Sequence, residues 1–223
     1  MRILITGANR GIGLALTKEF VRRGAEVFAC CRKPEKFESL GAVQALPLRV
    51  DDPKSIAELA HRLNGEAVDV LINNAGIIGH PIERQMASTI DFSSWEEILR
   101  INTLGPARVL QAFLPHLKRA AQPKVMNVTS DLGALSHDDP ILFGYSASKA
   151  ALNKFMRLAS IELKADGIAI GLVHPGWVQT DMGGANAPVD PTTSASGIAK
   201  VIDSLSLENT GGFWNWNGSQ HEW

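Results

Sequence analysis

The sequence predicts an α/β fold, a single domain built on a doubly wound, mostly parallel sheet of about seven strands with helices on both faces. Three observations predict it. Short apolar runs alternate with amphipathic stretches along the whole chain. Interior runs lack polar alternation, as strands buried on both faces require. The first run passes through a glycine-rich turn directly into a helical pattern.

Taken in order, Ile3–Thr6 is an apolar run ending at the glycine turn, and Ile12–Arg23 carries helical periodicity up to Gly24. Glu26–Cys31 and Val43–Val50 predict the next two strands, and Asp52-Pro53 opens a helix over Pro53–Leu63. Val68–Asn73 is a fourth strand. A long helix follows over Ser94–Leu117, capped by Ser93-Ser94, with an irregularity expected at Gly105-Pro106. Lys124–Thr129 and Ile168–His174 read as strands on either side of a helix over Tyr145–Asp166, which Gly167 ends. A helix over Ser194–Leu205 and a strand over Gly212–Trp216 complete the series. Two long connections, Asp131–Gly144 and Gly176–Thr193, leave carboxyl ends of strands, where ligands bind in this architecture.

Bulk properties narrow the function classes. A chain of 223 residues with 45% hydrophobic content suits one domain, residues 1–223. With 22 basic and 23 acidic residues it has no charge footprint for nucleic acid or an anionic membrane. No apolar run approaches the ~20 residues of a membrane helix, and the opening Arg2-Ile3-Leu4-Ile5-Thr6 is patterned as a strand. A cytoplasmic protein is expected. Cys30 and Cys31 are adjacent in a strand, so their side chains point to opposite faces and suit reduced packing residues. The six histidines show no metal-ligand spacing.

Tyr145 is the only tyrosine, and Lys149 follows it by four residues. On a helix that spacing places phenol and ammonium on one face. A phenol ionises near pH ~10, so lowering its pKa by about 3 units needs roughly 4 kcal/mol. A cation within about 4–6 Å in a desolvated cleft supplies much of that. The pair therefore predicts a proton-transfer device. The turn Thr6-Gly7-Ala8-Asn9-Arg10-Gly11-Ile12-Gly13 brings backbone N–H groups to a helix N-terminus, a site for a pyrophosphate in a Rossmann-type fold.

The turn, Asn73-Asn74-Ala75-Gly76, Ser130, Tyr145-x-x-x-Lys149 and Pro175-Gly176 occur in one order. Together they resemble the short-chain dehydrogenase/reductase family over about the whole chain. The Phe213-Trp214-Asn215-Trp216-Asn217-Gly218 ending resembles carbonyl-reductase-like members of the sniffer and C-factor type. The resemblance implies hydride transfer between a nicotinamide and a carbonyl or alcohol. Tyr145 would exchange the proton at the substrate oxygen, and Lys149 would lower its pKa and hold the nicotinamide ribose. Ser130 would hydrogen-bond the same oxygen, and Asn102 would hold a water in a proton relay. Cofactor contacts would come from Gly7, Asn9, Arg10, Gly11, Ile12 and Gly13, then Arg32, Val50 and Asp51, then Asn74, Ala75 and Gly76. Tyr145, Lys149, Pro175, Gly176, Val178 and Thr180 complete that set, with Thr180 at the carboxamide.

The second strand ends in Cys31-Arg32, where NAD-binding relatives carry an acid. An arginine fork suits a 2′-phosphate, and Arg10 can reach the same group, so NADP(H) is the expected cofactor. After the third strand an arginine, Arg49, stands where the family has an adenine-contacting aspartate; Asp51 replaces it only with a shifted register. Phe143 and Trp177 are the expected substrate contacts, favouring an apolar carbonyl or alcohol. Three of the five tryptophans, Trp214, Trp216 and Trp223, predict a tail packed on the body or on a second subunit, with a direct role lining the substrate cleft as the alternative. Relatives pair through the two long helices, which implies a homodimer. Two alternatives stay open: a cofactor-binding regulatory or signalling protein with little turnover, and a dehydratase or epimerase on the same scaffold.

Overall fold

The computed structural model describes residues 1–37 and 40–223. Seven strands form one all-parallel sheet: β1 (Arg2–Thr6), β2 (Glu26–Cys31), β3 (Val43–Pro47), β4 (Val70–Asn73), β5 (Lys124–Val128), β6 (Ala169–His174) and β7 (Phe213–Asn215). Their order is β3-β2-β1-β4-β5-β6-β7. The chain winds outward from β1 to β3 and then returns to lay β4 on the other side of β1. That reversal opens a crevice at the carboxyl ends of β1 and β4.

Among the described residues, six α-helices cover the sheet: α1 (Gly11–Arg22), α2 (Pro53–Arg62), α3 (Phe92–Leu99), α4 (Gly105–Leu117), α5 (Phe143–Glu162) and α6 (Pro191–Ser204). Period-two alternation divides the strand side chains between two cores. Ile3, Ile5, Val27 and Ala29 pack with Leu16 and Phe20 of α1 and Ile198 and Ile202 of α6. Leu4, Phe28 and Cys30 pack on the opposite face with Ile56 of α2, Phe113 of α4 and Met156 of α5. Both faces are apolar, which is why the runs show no polar alternation. Cys30 and Cys31 are free and buried.

Several boundaries differ from expectation. β3 stops at Pro47 on the sheet edge, although the next N–H, that of Leu48, still donates to the Cys31 carbonyl at 2.9 Å. The long helix starts at Phe92 rather than Ser94, because Asp91 accepts from the Ser94 N–H. Asp190 likewise starts α6 at Pro191, accepting from the N–H groups of Thr192 and Thr193. The irregularity ahead of Pro106 is a π-helical turn over Arg100–Leu104, joining α3 to α4. Pro106 cannot give the Asn102 carbonyl its regular i+4 bond. In the tail, Trp214 and Trp216 pack onto the α6 side, and Trp223 rests on Phe213 while its carbonyl accepts from the Ser136 N–H. Among the described residues, no helix is long and apolar enough to cross a membrane.

Candidate active site

The glycine turn is built for close approach. Gly7 has a positive φ of 67°, and a Cβ there would stand 2.9 Å from the Ala75 Cα. A Cβ on Gly13 would collide with the Gly7 carbonyl, so α1 packs directly on the turn. The Asn74 side-chain amide donates to the carbonyls of Thr6 (3.0 Å) and Gly7 (3.2 Å), and the Thr6 hydroxyl accepts from the N–H groups of Asn74 and Ala75. β1 and β4 are thereby locked together at the crevice. Arg10, at the N-cap of α1, makes no side-chain cap, and the first turn holds no acid. The amides there suit an anion from outside the chain.

A cleft runs from this turn across the strand ends. Gly7, Asn9, Arg10, Gly11, Ile12, Gly13, Arg32, Val50, Asp51, Asn74, Ala75, Gly76, Tyr145, Lys149, Pro175 and Thr180 all line it. Gly176 and Val178 do not. Gly176, at φ 85°, lies under the Trp216 indole, and Val178 is buried and bridges to Val189. The sequence reading omitted Ile77, Ile101, Thr129 and Asp181 from the lining. Arg32 is exposed at one end, whereas Arg10 is held by Asp181 at 2.8 Å and Arg49 by Asp51 at 3.0 Å.

At the other end, α5, the turn after β5 and the π turn bring Tyr145, Lys149, Ser130 and Asn102 together. Leu142, the only non-glycine with positive φ among the described residues, turns the chain into α5 three residues before Tyr145. Lys149 is buried, and its ammonium donates to the Val128 carbonyl at 3.0 Å. Burial pulls its pKa down to about 8. The Tyr145 phenol goes the other way. Burial pushes it up to about 12, with the Ser130 hydroxyl opposing and the Asp131 charge reinforcing the rise. In the chain alone the phenol is raised rather than lowered, because desolvation of the phenolate outweighs the opposing Ser130 hydroxyl, with the Lys149 ammonium 5.7 Å from the ring centroid.

Ser130, two residues past β5, caps the short turn that follows, accepting from the Leu132 N–H at 3.2 Å while donating to Asp131 Oδ1 at 2.8 Å. Asn102 is fully buried in the π turn. Its Oδ1 accepts from the Ile77 N–H (2.9 Å), and its Nδ2 donates to the Ile77 carbonyl (2.8 Å) and Ser148 Oγ (3.1 Å). Its side chain is committed to the fold, which leaves any water contact to its backbone carbonyl. The two expected substrate residues lie elsewhere. Phe143 lines a second cavity with Phe92, Trp95, Leu132 and Ile141, since a two-residue step on a helix turns it away from Tyr145. Trp177 is half exposed, and its indole N–H donates to the Gly183 carbonyl.

The family described as short chain dehydrogenase matches residues 1–189. This chain belongs to that family. It is 41% identical to the C-signal protein of Myxococcus xanthus over 157 residues, covering 70% of this chain and 93% of that one. Among solved structures, an NADPH-bound carbonyl reductase from chicken fatty liver superposes with a TM-score of 0.89 at 34% identity, covering 100% of this chain and 98% of that one. The carbonyl reductase Sniffer of D. melanogaster gives 0.93 at 30% identity, covering 100% and 99%. As a member of the short-chain dehydrogenase family, the chain is an oxidoreductase of carbonyl-reductase type in fold.

Proposed function

We propose that this chain is an NADPH-dependent oxidoreductase that reduces an aldehyde or ketone to an alcohol, with Tyr145 giving the proton. One observation carries the reading: the Tyr145 phenol stands in the cleft that the glycine turn opens, with the Lys149 ammonium 5.7 Å from its ring centroid and the Ser130 hydroxyl beside it. A carbonyl oxygen gaining charge needs a proton donor and a second hydrogen bond, and these two hydroxyls supply both. The uncapped α1 terminus and the glycine cradle fit a pyrophosphate, and exposed Arg32 suits a 2′-phosphate. Bound there, NADPH supplies the hydride. Lys149 contributes by placing a cation beside the phenol as its proton leaves, and the buried setting strengthens that contact. The NADPH-bound chicken reductase supports the cofactor assignment.

Purified protein assayed with NADPH or NADH against aldehydes, ketones and quinones tests this. Turnover with NADPH well above NADH is expected, and Arg32→Asp should erase that preference. Equal rates with both cofactors, or no response to Arg32→Asp, sinks the NADPH assignment. The likeness to the C-signal protein favours a second reading, a cofactor-binding signalling protein; failure of every carbonyl to turn over while NADPH still binds selects it.

The proposal extends to a homodimer and a cytoplasmic setting. Exposed Phe155, Leu158 and Ile161 form an apolar stripe on α5, and the two buried thiols suit a reducing compartment. Sedimentation of the native and Leu158→Glu proteins checks the pairing: a native monomer removes it.

A further inference from the structure

The turn after β5 contains a carboxylate that the proposed reaction does not use. Asp131 Oδ1 takes the hydrogen bond of the Ser130 hydroxyl at 2.8 Å and that of the Leu132 N–H at 2.8 Å. A hydroxyl has one proton. While Asp131 holds it, Ser130 has none to offer to a phenolate, and its remaining lone pair is free to face the phenol's own O–H. We propose that Asp131 is a positioning residue: by holding the Ser130 proton and adding a negative charge behind it, it keeps Tyr145 protonated until a substrate oxygen arrives to take both hydroxyls. The inference rests on Tyr145 being the proton donor proposed above.

The surroundings keep that carboxylate charged. The Asp131 N–H donates to His174 Nδ1 at 3.0 Å, so this ring nitrogen carries no proton, although it lies 3.5 Å from Asp131 Oδ1. Burial lowers the His174 pKa; Asp131 raises it, and His221 and His137 lower it again. His137 is itself turned to Asp139 at 3.3 Å, and His221 stacks on Phe213. Burial alone would raise the Asp131 carboxyl, but His174 and His137, at acid pH where their rings carry charge, and the hydrogen bonds of the Ser130 hydroxyl and the Leu132 N–H bring it below the usual carboxylate value. Lys149 is the cation on the other side of the phenol and is tied to Val128. The charge of Asp131 is therefore opposed but not cancelled, and it acts on Tyr145 through Ser130.

Because Tyr145 is the only tyrosine, ultraviolet titration of phenolate absorption in the full chain reports this one group. Asp131→Asn should lower its midpoint by about one pH unit, since a neutral amide no longer opposes the phenolate. Asp131→Glu keeps the charge and should stay near the native value, and Asp131→Ser provides a second neutral variant. Circular dichroism followed over the same range separates ionisation from alkaline unfolding. The alkaline limb of NADPH-dependent reduction should move down with the midpoint. Coincident titrations of native, Asn and Ser proteins overturn the role, as does ionisation only on unfolding in both neutral variants, or a Glu variant shifted as far as Asn. If the midpoints shift but the native protein reduces no carbonyl, the proposed function fails and the coupling stands. If reduction occurs but the midpoints do not shift, Asp131 alone is misassigned.

Discussion

The Lys149 ammonium donates a 3.0 Å hydrogen bond to the Val128 carbonyl and lies 5.7 Å from the centroid of the Tyr145 ring. Lysine and tyrosine thus share a helix face, as their spacing requires, but the strand end anchors the lysine and the phenol keeps its proton. Both groups are buried, and desolvation favours the neutral form of each. A site held this way stores unfavourable charge in the fold, and that is measurable.

The ammonium's pKa, about 8 in the fold, lies below the ~10.4 of an unfolded lysine. Between those values the unfolded chain binds more protons, so this group's contribution to stability rises with pH. At pH 7 the buried charge costs about 3 kcal/mol, less about 1 kcal/mol lost with the Val128 hydrogen bond when the lysine is replaced. Lys149→Met should therefore be more stable than the native protein by about 1–2 kcal/mol at pH 7, with the gap closing toward pH ~9.5. Urea unfolding at both pH values checks it. A variant less stable at pH 7, by an amount independent of pH, contradicts this account.

Tyr145→Phe removes the proton donor while leaving the ring packed on α5. Turnover of carbonyl substrate should fall by about 10²–10⁴-fold, the usual range for a lost general acid. NADPH affinity should stay within about threefold of native, because the turn and Arg32 are untouched. Steady-state rates set beside nucleotide fluorescence titration separate the two effects. Native-like turnover in the variant would remove Tyr145 from the mechanism.

The alternation of strands and helices was legible because neighbours such as Ile3, Leu4 and Ile5 point into two different cores, so each run had to be apolar throughout. The glycine turn and the Tyr145–Lys149 pair were legible because each is local. Two kinds of information were not. The starts at Phe92 and Pro191 follow from Asp91 and Asp190, whose capping bonds need the backbone geometry to be known. The contact between Asp131 and His174 joins residues 43 apart, and it exists only because β5 and β6 pair in register. Phe143 faces a second cavity rather than the Tyr145 cleft for another reason. Nearness to Tyr145 in sequence is not nearness in space when a helix turns about 100° per residue.

Asn102 makes a sharp stability prediction. Its three side-chain bonds satisfy both backbone groups of Ile77 and the hydroxyl of Ser148 in a buried setting. Asn102→Ala orphans them and should cost about 2–4 kcal/mol of unfolding free energy. Asn102→Asp should be no better, because a carboxylate cannot donate to the Ile77 carbonyl and is buried without a cation bonded to it. Chemical denaturation reads both. A loss under about 1 kcal/mol in the alanine variant would mean that water replaces the amide and that the π turn stands without it.

Arg10 and Asp181 close the glycine turn against the loop after β6 at 2.8 Å, with side chains 59% and 77% exposed. So exposed a pair contributes little to stability, and Asp181→Asn should change it by less than about 0.5 kcal/mol. Its effect on nucleotide choice should be larger. The aspartate occupies the guanidinium that a 2′-phosphate would otherwise recruit, so removing the charge should tighten NADPH about threefold and leave NADH unchanged. Direct titration of both nucleotides at low and high salt checks it, with the gain shrinking as salt screens the phosphate. If both nucleotides change alike, the pair acts only by holding the loop closed, and selection of the 2′-phosphate rests on Arg32 alone.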